Sequence, residues 1–231
     1  MTPAQRRRWD PVRFDRRRLQ EFSPDATAVA GADEAGRGCL AGPLVTAAVV
    51  VRYDHLPPRA LAGVDDSKML TLRAREELYG RILAAAERVS VVAVSASTID
   101  RTGLHRANLQ ALAQALAGLE GDYDLALVDG FDLCRPDLRA QALVGGDGKS
   151  AAIGAASIVA KVTRDRLMRA LDADHPEYGF AAHVGYGTRQ HWQALRIHGP
   201  CALHRRSFTG VDDSQLSFDD APGEEWSPAE G

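Results

Sequence analysis

The sequence predicts an α/β fold in which a central mixed sheet is flanked by helices and followed by a helical C-terminal part. Three observations carry this prediction. Several β-branched apolar runs are typical of strands, at residues 27–34, 43–51 and 89–97. Other segments have the apolar spacing or the alanine content of helices, at residues 73–89, 105–119 and 151–171. Strands come first and helices then alternate with strands, an order that favours a mixed sheet.

Shorter features complete the predicted order of strands and helices. In the first predicted helix, Leu78, Ile82 and Leu83 are expected to share one face. DLALVDG at residues 124–130 follows the second helix and is predicted to be a short strand. QALVGG at residues 141–146 follows it and leads into the third helix, which is the longest.

Composition indicates a protein of a reducing compartment. With 231 residues, 45% of them hydrophobic and 26% charged, the chain can bury a full core as one domain without disulfides; two domains are possible but not required. Cys39, Cys134 and Cys201 are odd in number and lack the spacing of a metal site, so they are expected to be small core residues. The longest apolar run, residues 43–51, is too short to span a membrane. We therefore expect a cytoplasmic protein that does not bind membranes.

Charge is distributed unevenly along the chain, whose net charge is −3. Residues 1–24 carry seven Arg against three acids and predict a basic N-terminal arm, either a helix or a loose solvated segment. Residues 212–231 carry seven acids and no Lys or Arg, and their composition predicts a disordered tail. The main domain is expected between them, at residues 25–211. Its charges balance, which is compatible with a phosphate-binding groove around an acidic centre that holds cations.

Four carboxylates follow or end apolar runs, as ligands at a sheet edge would. They are Asp33 and Glu34 in GADEAGRG, Asp129 in LALVDG and Asp147 in GGDGKS. Alone, each has an ordinary explanation as a turn or helix-start residue. Adjacent Asp33 and Glu34 also point to opposite faces of a regular strand, so that both could bind a metal only if the chain turns or bulges there. Together, the four predict a site for two hard cations.

Two glycine motifs suggest nucleotide binding and are rejected. Residues 36–41 match the dinucleotide fingerprint GxGxxA, but Pro43 and a β-branched run follow where a helix is required. Gly148-Lys149-Ser150 resembles the end of a phosphate-binding loop, yet Leu143 stands where that loop needs its first glycine.

In order, the motifs resemble those of type 2 ribonuclease H, the bacterial ribonuclease HII group, over roughly residues 28–211. They are GADEAGRGCLAGP, DDSKML, VDGF, GGD with AAIGAASIVAKVTRDR, HPEYGFAAHVGYGT and HRRSF. The resemblance implies an RNase H-like fold and a metal-dependent endoribonuclease. Its expected substrates are RNA–DNA hybrids and duplex DNA with embedded ribonucleotides, which would give it a part in ribonucleotide excision repair. We expect cleavage on the 5′ side of a single ribonucleotide, leaving 5′-phosphate and 3′-hydroxyl ends.

Carried over residue by residue, the resemblance makes Asp33, Glu34, Asp129 and Asp147 both the catalytic residues and the metal ligands. Two Mg²⁺ or Mn²⁺ ions, about 4 Å apart, would clamp the scissile phosphate. One would lower the pKa of the attacking water and the other would stabilise the leaving 3′ oxygen. A non-catalytic hybrid-binding protein is the rival hypothesis, and the presence of all four carboxylates argues against it.

The resemblance also implies substrate-binding residues. Gly36, Arg37 and Gly38 would let the backbone approach a ribose and read its 2′-hydroxyl, although a plain tight turn would use the same glycines. Tyr186 would pack on the sugar of the following deoxynucleotide, where the alternative is an ordinary packing residue. Phosphate contacts are implied at Ser67 and Lys68, and more loosely at Lys161, Arg164 and Arg166.

Some positions depart from the family pattern. Met69 stands where a second lysine is frequent, Cys39 where proline is common, and Gly187 where proline often follows the tyrosine. These changes bear on substrate affinity and leave the carboxylates intact. Residues 215–218, Gln-Leu-Ser-Phe, loosely resemble peptides that bind sliding clamps, against the alternative of a linker. A monomer is expected.

Overall fold

The computed structural model of the chain describes residues 9–64 and 70–212, which form two compact units. The first unit takes in the chain up to Asp33, then Thr46–Val92 and Leu112–Ala160. The second takes in Glu34–Val45, Ala93–Ala111 and the chain from Lys161 onwards. In the described part, no helix is long and apolar enough to cross a membrane.

A five-stranded sheet belongs mainly to the first unit. Its strands in chain order are β1 (Ala28–Ala35), β2 (Leu44–Arg52), β3 (Arg88–Val94), β4 (Leu125–Asp129) and β5 (Ala140–Leu143). Across the sheet the order is β3-β2-β1-β4-β5, and the pairs β1/β4 and β4/β5 are parallel. The predicted mixed sheet is confirmed.

Seven α-helices are present in the described residues. They are α1 (Pro11–Phe22), α2 (Leu72–Ala85), α3 (Ala96–Thr102), α4 (Leu104–Ala117), α5 (Ala151–Leu171), α6 (Phe180–His183) and α7 (Arg189–His198). The three helices predicted from apolar spacing correspond to α2, α4 and α5, and the predicted bounds of α5 are the observed ones.

The prediction for α2 was wrong at its C-terminal end. Leu78 and Ile82 are buried, but Leu83 is 42% exposed, because the residue after Ile82 lies about 100° further round the helix. The helix also ends at Ala85 and does not continue to residue 89. Glu87 donates its backbone N–H to the carbonyl of Val50 at 2.9 Å, and the chain is thereby drawn into the sheet as β3.

The arginine-rich start contains a packed helix, which is one of the two alternatives predicted for it. Asp10 caps α1 by accepting from the backbone N–H of Arg13 at 3.1 Å, and Pro11 occupies the first turn, where its missing N–H costs nothing. Asp15 and Leu19, four residues apart on one face, are both buried. From residue 9 onwards this segment is therefore part of the first unit and not a loose arm.

Helices cover both faces of the sheet in the first unit. On one face, Leu112, Leu116 and Leu119 pack with the even-numbered alanines of β1 and with Val128 of β4. On the other face, Gly31 lies so close to α5 that a Cβ there would overlap the backbone of Ala152. Since side chains alternate along a strand, odd-numbered residues of β1 and β4 point toward the α5 face.

The second unit has its own core of aromatic and imidazole rings. Tyr178 and Phe180 stack with ring centroids 5.3 Å apart, and His183 stacks on His191 at 4.4 Å. Nε2 of His191 and Nε2 of His204 are 3.0 Å apart and share a hydrogen bond. One ring must donate and the other accept, so the bond needs at least one neutral imidazole.

These histidines predict a loss of stability on acidification. Burial lowers the pKa of His191 and of His204 to about 4, compared with about 6.5 for an unfolded chain. Between these values the unfolded chain binds more protons, so their contribution to stability is complete above pH 6.5 and is lost as the pH falls toward 4. We expect calorimetry to show the melting temperature falling over this window.

The exposed His55 provides a matched control, because its side chain is 80% exposed. His55→Gln should show the same fall in melting temperature as the unaltered protein. Imidazole NMR signals of His191 and His204 should stay those of neutral rings down to about pH 5. Rings that are already charged at pH 6 in the folded protein would refute this account.

Candidate active site

Asp33 and Asp129 occupy equivalent places on neighbouring parallel strands. In the register of β1 and β4, Ala32 pairs with Val128, so the two aspartates follow one step further along at the same edge. Both have odd numbers and therefore point to the α5 face of the sheet. Asp33 is 6% exposed and Asp129 is half-buried. With about 4.8 Å between adjacent strands, the two carboxylates are close enough to act on one bound group.

The turn that carries Asp147 is tied directly to Asp129. The backbone N–H of Gly146 donates to Oδ1 of Asp129 at 2.6 Å, and the carbonyl of Gly146 accepts from Lys149 at 2.9 Å. Asp147 itself accepts through Oδ1 from the N–H of Gly148 at 2.9 Å. The first unit thus brings Asp33, Asp129 and the Asp147 turn to one edge of the sheet.

Glu34 is the last acidic residue of β1, and its assignment as a metal ligand stays a prediction. β1 continues as a strand through Glu34 to Ala35, so the side chain of Glu34 alternates away from that of Asp33. Its Oε1 lies 3.5 Å from Nη1 of Arg37 in an ion pair.

The donor set has the chemistry that hard divalent cations require. Carboxylate oxygens are the ligands that Mg²⁺ and Mn²⁺ prefer, and this edge offers three carboxylates. Across residues 9–64 and 70–212, however, no three Asp, Glu, His or Cys side chains are spaced as ligands of a single ion. Carboxylates without a cation repel one another, so binding would require side-chain rotations that bring them together.

In the second unit, two buried arginines hold the segment that contains Gly36, Arg37 and Gly38. Gly36 has a φ of 91°, which favours glycine, and a Cβ there would overlap the side chain of Arg164. Arg205 donates from Nη1 to the carbonyl of Arg37 at 2.8 Å, and from Nε to the carbonyl of Gly42 at 3.2 Å. The backbone of this segment is therefore fixed by side chains from elsewhere in the same unit.

Tyr186 follows Gly185, which is hydrogen-bonded to the loop that contains Gly36, Arg37 and Gly38. The backbone N–H of Leu40 donates to the carbonyl of Gly185 at 2.9 Å. The Tyr186 ring lies 5.1 Å from Nζ of Lys161, and burial raises the pKa of its hydroxyl to about 12. The hydroxyl is therefore protonated at neutral pH. The structure places Gly36, Arg37, Gly38 and Tyr186 in one compact unit, as a shared role in binding requires.

The comparison with known families decides the identity of the chain. The family model for ribonuclease HII matches residues 30–211. The chain belongs to the ribonuclease HII family. Ribonucleases HII are endoribonucleases, which are hydrolases of phosphodiester bonds. The ribonuclease HII of Xanthobacter autotrophicus is 50% identical over 216 residues, covering 94% of this chain and 84% of that protein.

Solved structures of ribonucleases of this type have the same fold. Ribonuclease H2 from Pyrococcus horikoshii superposes with a TM-score of 0.69 at 29% identity, covering 79% of this chain and 94% of that one. Ribonuclease HII from Archaeoglobus fulgidus, solved in a complex with PCNA, gives a TM-score of 0.68 at 30% identity, covering 84% and 99%. The fold predicted from the sequence motifs is therefore confirmed.

In this ribonuclease HII the prediction for Arg164 was wrong. Its side chain is fully buried and donates to the carbonyls of Pro43 at 2.9 Å, Val184 at 2.8 Å and Ala41 at 3.0 Å. These bonds engage the guanidinium in the interior, where it cannot contact a phosphate. Lys161 is partly exposed and pairs with Asp165 at 3.0 Å.

Several predicted features lie outside the described residues, namely Ser67, Lys68, Met69 and residues 215–218. Gly187 is described, and a Cβ there would lie 3.1 Å from Nε1 of Trp192, so the position has little room for a side chain. The rejected dinucleotide motif leads into the strand β2, as expected.

Sequence reasoning missed the buried Asp15 and the buried Arg205. Arg205 is part of a recognised motif, HRRSF, but its neighbours His204 and Arg206 are polar or charged, so the local sequence carries no signal of burial. Asp15 lies among arginines on a charged helix, and its surroundings carry no signal of burial.

Proposed function

We propose that this ribonuclease HII hydrolyses the RNA strand of RNA–DNA hybrids and cuts on the 5′ side of single ribonucleotides in duplex DNA. The products would be a 5′ phosphate and a 3′ hydroxyl. The observation that supports this most is the register of β1 and β4, which sets Asp33 beside Asp129 at the edge where Gly146 binds Asp129. The alternative, a hybrid-binding protein without catalysis, has no need for such an acidic edge.

In this proposal, Asp33, Asp129 and Asp147 hold two Mg²⁺ or Mn²⁺ ions, and Glu34 joins them on the strength of the family resemblance. When bound, the ions would supply the positive charge that favours an ionised water and a developing alkoxide. The carboxylates would hold the ions at the edge of the sheet where the scissile phosphate is proposed to bind. No Ser or Cys nucleophile is needed, and the buried Cys39, whose pKa is raised by burial, is unsuited to that role.

Selection of the ribonucleotide would depend on the second unit. Gly36, Arg37 and Gly38 would present backbone groups to one 2′-hydroxyl, and the Tyr186 ring would pack on the next sugar when that sugar is a deoxyribose. The buried guanidiniums of Arg164 and Arg205 support this assignment, because they hold the glycine segment in one shape. One RNA-to-DNA junction would then suffice for recognition.

A protein partner is proposed from one relative and one sequence resemblance. The Archaeoglobus relative was solved in a complex with PCNA, a sliding clamp, and residues 215–218 of this chain loosely resemble a clamp-binding peptide. We propose that this segment binds a clamp.

The substrate proposal predicts cleavage of a duplex that contains a single ribonucleotide. In Mg²⁺ or Mn²⁺, the wild-type protein should cut on the 5′ side of that residue, and chelation should stop the reaction. Tyr186→Ala should lower junction cleavage by about tenfold, the loss expected for one aromatic contact, and should affect a long hybrid less. Gel assays of both substrates measure this ratio.

Tyr186→Phe is the matched control, because it keeps the ring and should keep the preference for the junction. If the wild-type protein degraded long hybrids but left a lone ribonucleotide intact, the proposed reading of one 2′-hydroxyl would be refuted while the nuclease activity would stand. Binding of a hybrid with no cleavage in either metal would instead support the non-catalytic alternative.

A further inference from the structure

A buried carboxylate from α1 lies at the start of α5, within the first unit. Asp15 is fully buried, and its Oδ2 accepts from the backbone N–H of Ala152 at 2.9 Å and from the hydroxyl of Tyr53. Ala152 is in the first turn of α5, where backbone N–H groups have no partner within the helix. Asp15 therefore caps α5 from a helix more than a hundred residues away in sequence.

Two further contacts reach the residues around Asp147, one from Trp9 just before α1 and one from Arg18 within it. Nε1 of Trp9 donates to the carbonyl of Lys149 at 3.0 Å. Arg18 donates from Nη2 to the side chain of Gln141 in β5. Together with Asp15, these residues contact the chain before the Asp147 turn, within it and after it.

Stability alone is a poor explanation for Asp15. Burying a carboxylate costs free energy, which the helix N-terminus and the two hydrogen bonds offset only in part, since burial raises the pKa of Asp15 to about 6. A buried charge does, however, specify how the segments around it are arranged, because it is favourable only where its hydrogen-bond donors are correctly placed. Here the donors are at the end of the segment that carries Asp147.

We propose that α1, together with Trp9 just before it, positions the Asp147 turn, with Asp15 as the main positioning residue and Trp9 as a second contact. Asp15 fixes Ala152 and Trp9 fixes Lys149, and the two contacts together set where Asp147 lies relative to Asp129, which binds the other side of the turn through Gly146. This inference rests on the proposed function, in which Asp147 is a metal ligand.

The test compares Asp15→Asn and Trp9→Phe with the unaltered full-length protein. Asp15→Asn keeps the shape and removes the charge. Trp9→Phe keeps an aromatic ring on a half-exposed residue and removes only the N–H donor, so it should fold normally. Leu78→Ala, in α2 of the same unit, is the control for lost stability, since truncating a buried leucine costs about 2–5 kcal/mol without touching the turn.

Three quantities are measured for each variant: the melting temperature, hydrogen exchange of amides 146–152 in metal-free protein, and the Mg²⁺ concentration that gives half-maximal cleavage. For Asp15→Asn we expect faster exchange in that segment and a Mg²⁺ midpoint raised by about tenfold, as for residues that orient metal ligands. Trp9→Phe should change the exchange rate and the Mg²⁺ midpoint in the same direction, each by a smaller factor. Leu78→Ala should lower the melting temperature and leave the Mg²⁺ midpoint unchanged.

The outcomes separate this inference from the proposed function. If Asp147→Asn abolishes cleavage but Asp15→Asn and Trp9→Phe leave hydrogen exchange and the Mg²⁺ midpoint unchanged, the positioning role of α1 and Trp9 is refuted. The assignment of Asp147 as a metal ligand is then unaffected. If Asp147→Asn cleaves normally, Asp147 is not a metal ligand. The proposed positioning role of α1 and Trp9 is then refuted as well. A shifted midpoint in Leu78→Ala equal to that of Asp15→Asn would show that lost stability explains the effect, and this would also overturn the proposal.

Discussion

Asp129→Asn is expected to lower the rate of single-turnover cleavage by about a thousandfold or more, equivalent to roughly 4 kcal/mol of transition-state stabilisation. The physical reason is specific to the charge. An asparagine keeps an oxygen that can accept from the N–H of Gly146, so the turn beside it retains its hydrogen bond. What is lost is one negative charge at the edge where divalent cations are proposed to bind. Quenched-flow assays on a short hybrid duplex measure the loss.

Asp137→Asn is the matched control for this substitution. Asp137 is an exposed carboxylate between β4 and β5 that pairs with Arg135 at 2.5 Å, and it should be replaceable without loss of rate. Circular dichroism and thermal melting should show both variants folded. Wild-type turnover in Asp129→Asn would remove the carboxylate edge from the mechanism altogether.

Gly31→Ala should be the most destabilising single-methyl substitution among the described glycines of the first unit. The added Cβ would overlap the carbonyl carbon of Ala152 and the nitrogen of Ile153, which are backbone atoms of α5 and cannot rotate away. Strand β1 and helix α5 would have to separate, which would weaken packing along the whole contact. We expect a loss of roughly 3–5 kcal/mol in the free energy of unfolding, or failure to fold. Urea denaturation at 25 °C measures it.

Gly80→Ala, in the same unit, is expected to have the opposite effect on stability. Gly80 lies within α2, and a Cβ there would meet no atom within 4 Å. Alanine is the better helix former by about 1 kcal/mol, so this variant should be slightly stabilised. A Gly31→Ala protein as stable as the wild type would mean that β1 and α5 are not in the close contact described here.

The placement of Asp33 and Asp129 could be predicted from the sequence because it depends on local patterns. Apolar runs define β1 and β4, each aspartate stands at or near the end of its run, and parallel neighbours bring equivalent ends together. The long helix α5 was predictable for a similar reason, since its alanine-rich sequence lacks any internal proline.

The roles of Asp15, Arg164 and Arg205 were not predictable, because each depends on partners that are distant in sequence. Asp15 binds an amide 137 positions away, and Arg164 binds the carbonyl of Pro43 121 positions away. A charged residue on a helix is normally solvated, so pattern alone favours exposure. The end of α2 was mispredicted for a related reason: a sheet contact, which no local pattern encodes, ended the helix.

The buried guanidinium of Arg164 also has a consequence for how a ligand would be selected. By binding the carbonyls of Ala41, Pro43 and Val184, it orders two loop segments in the free protein, before any nucleic acid arrives. The entropy of arranging those loops is lost during folding and not during association. Selection at such a surface would follow the lock-and-key limit, in which a ligand of the wrong shape is excluded because the surface is rigid, and no closure step is needed.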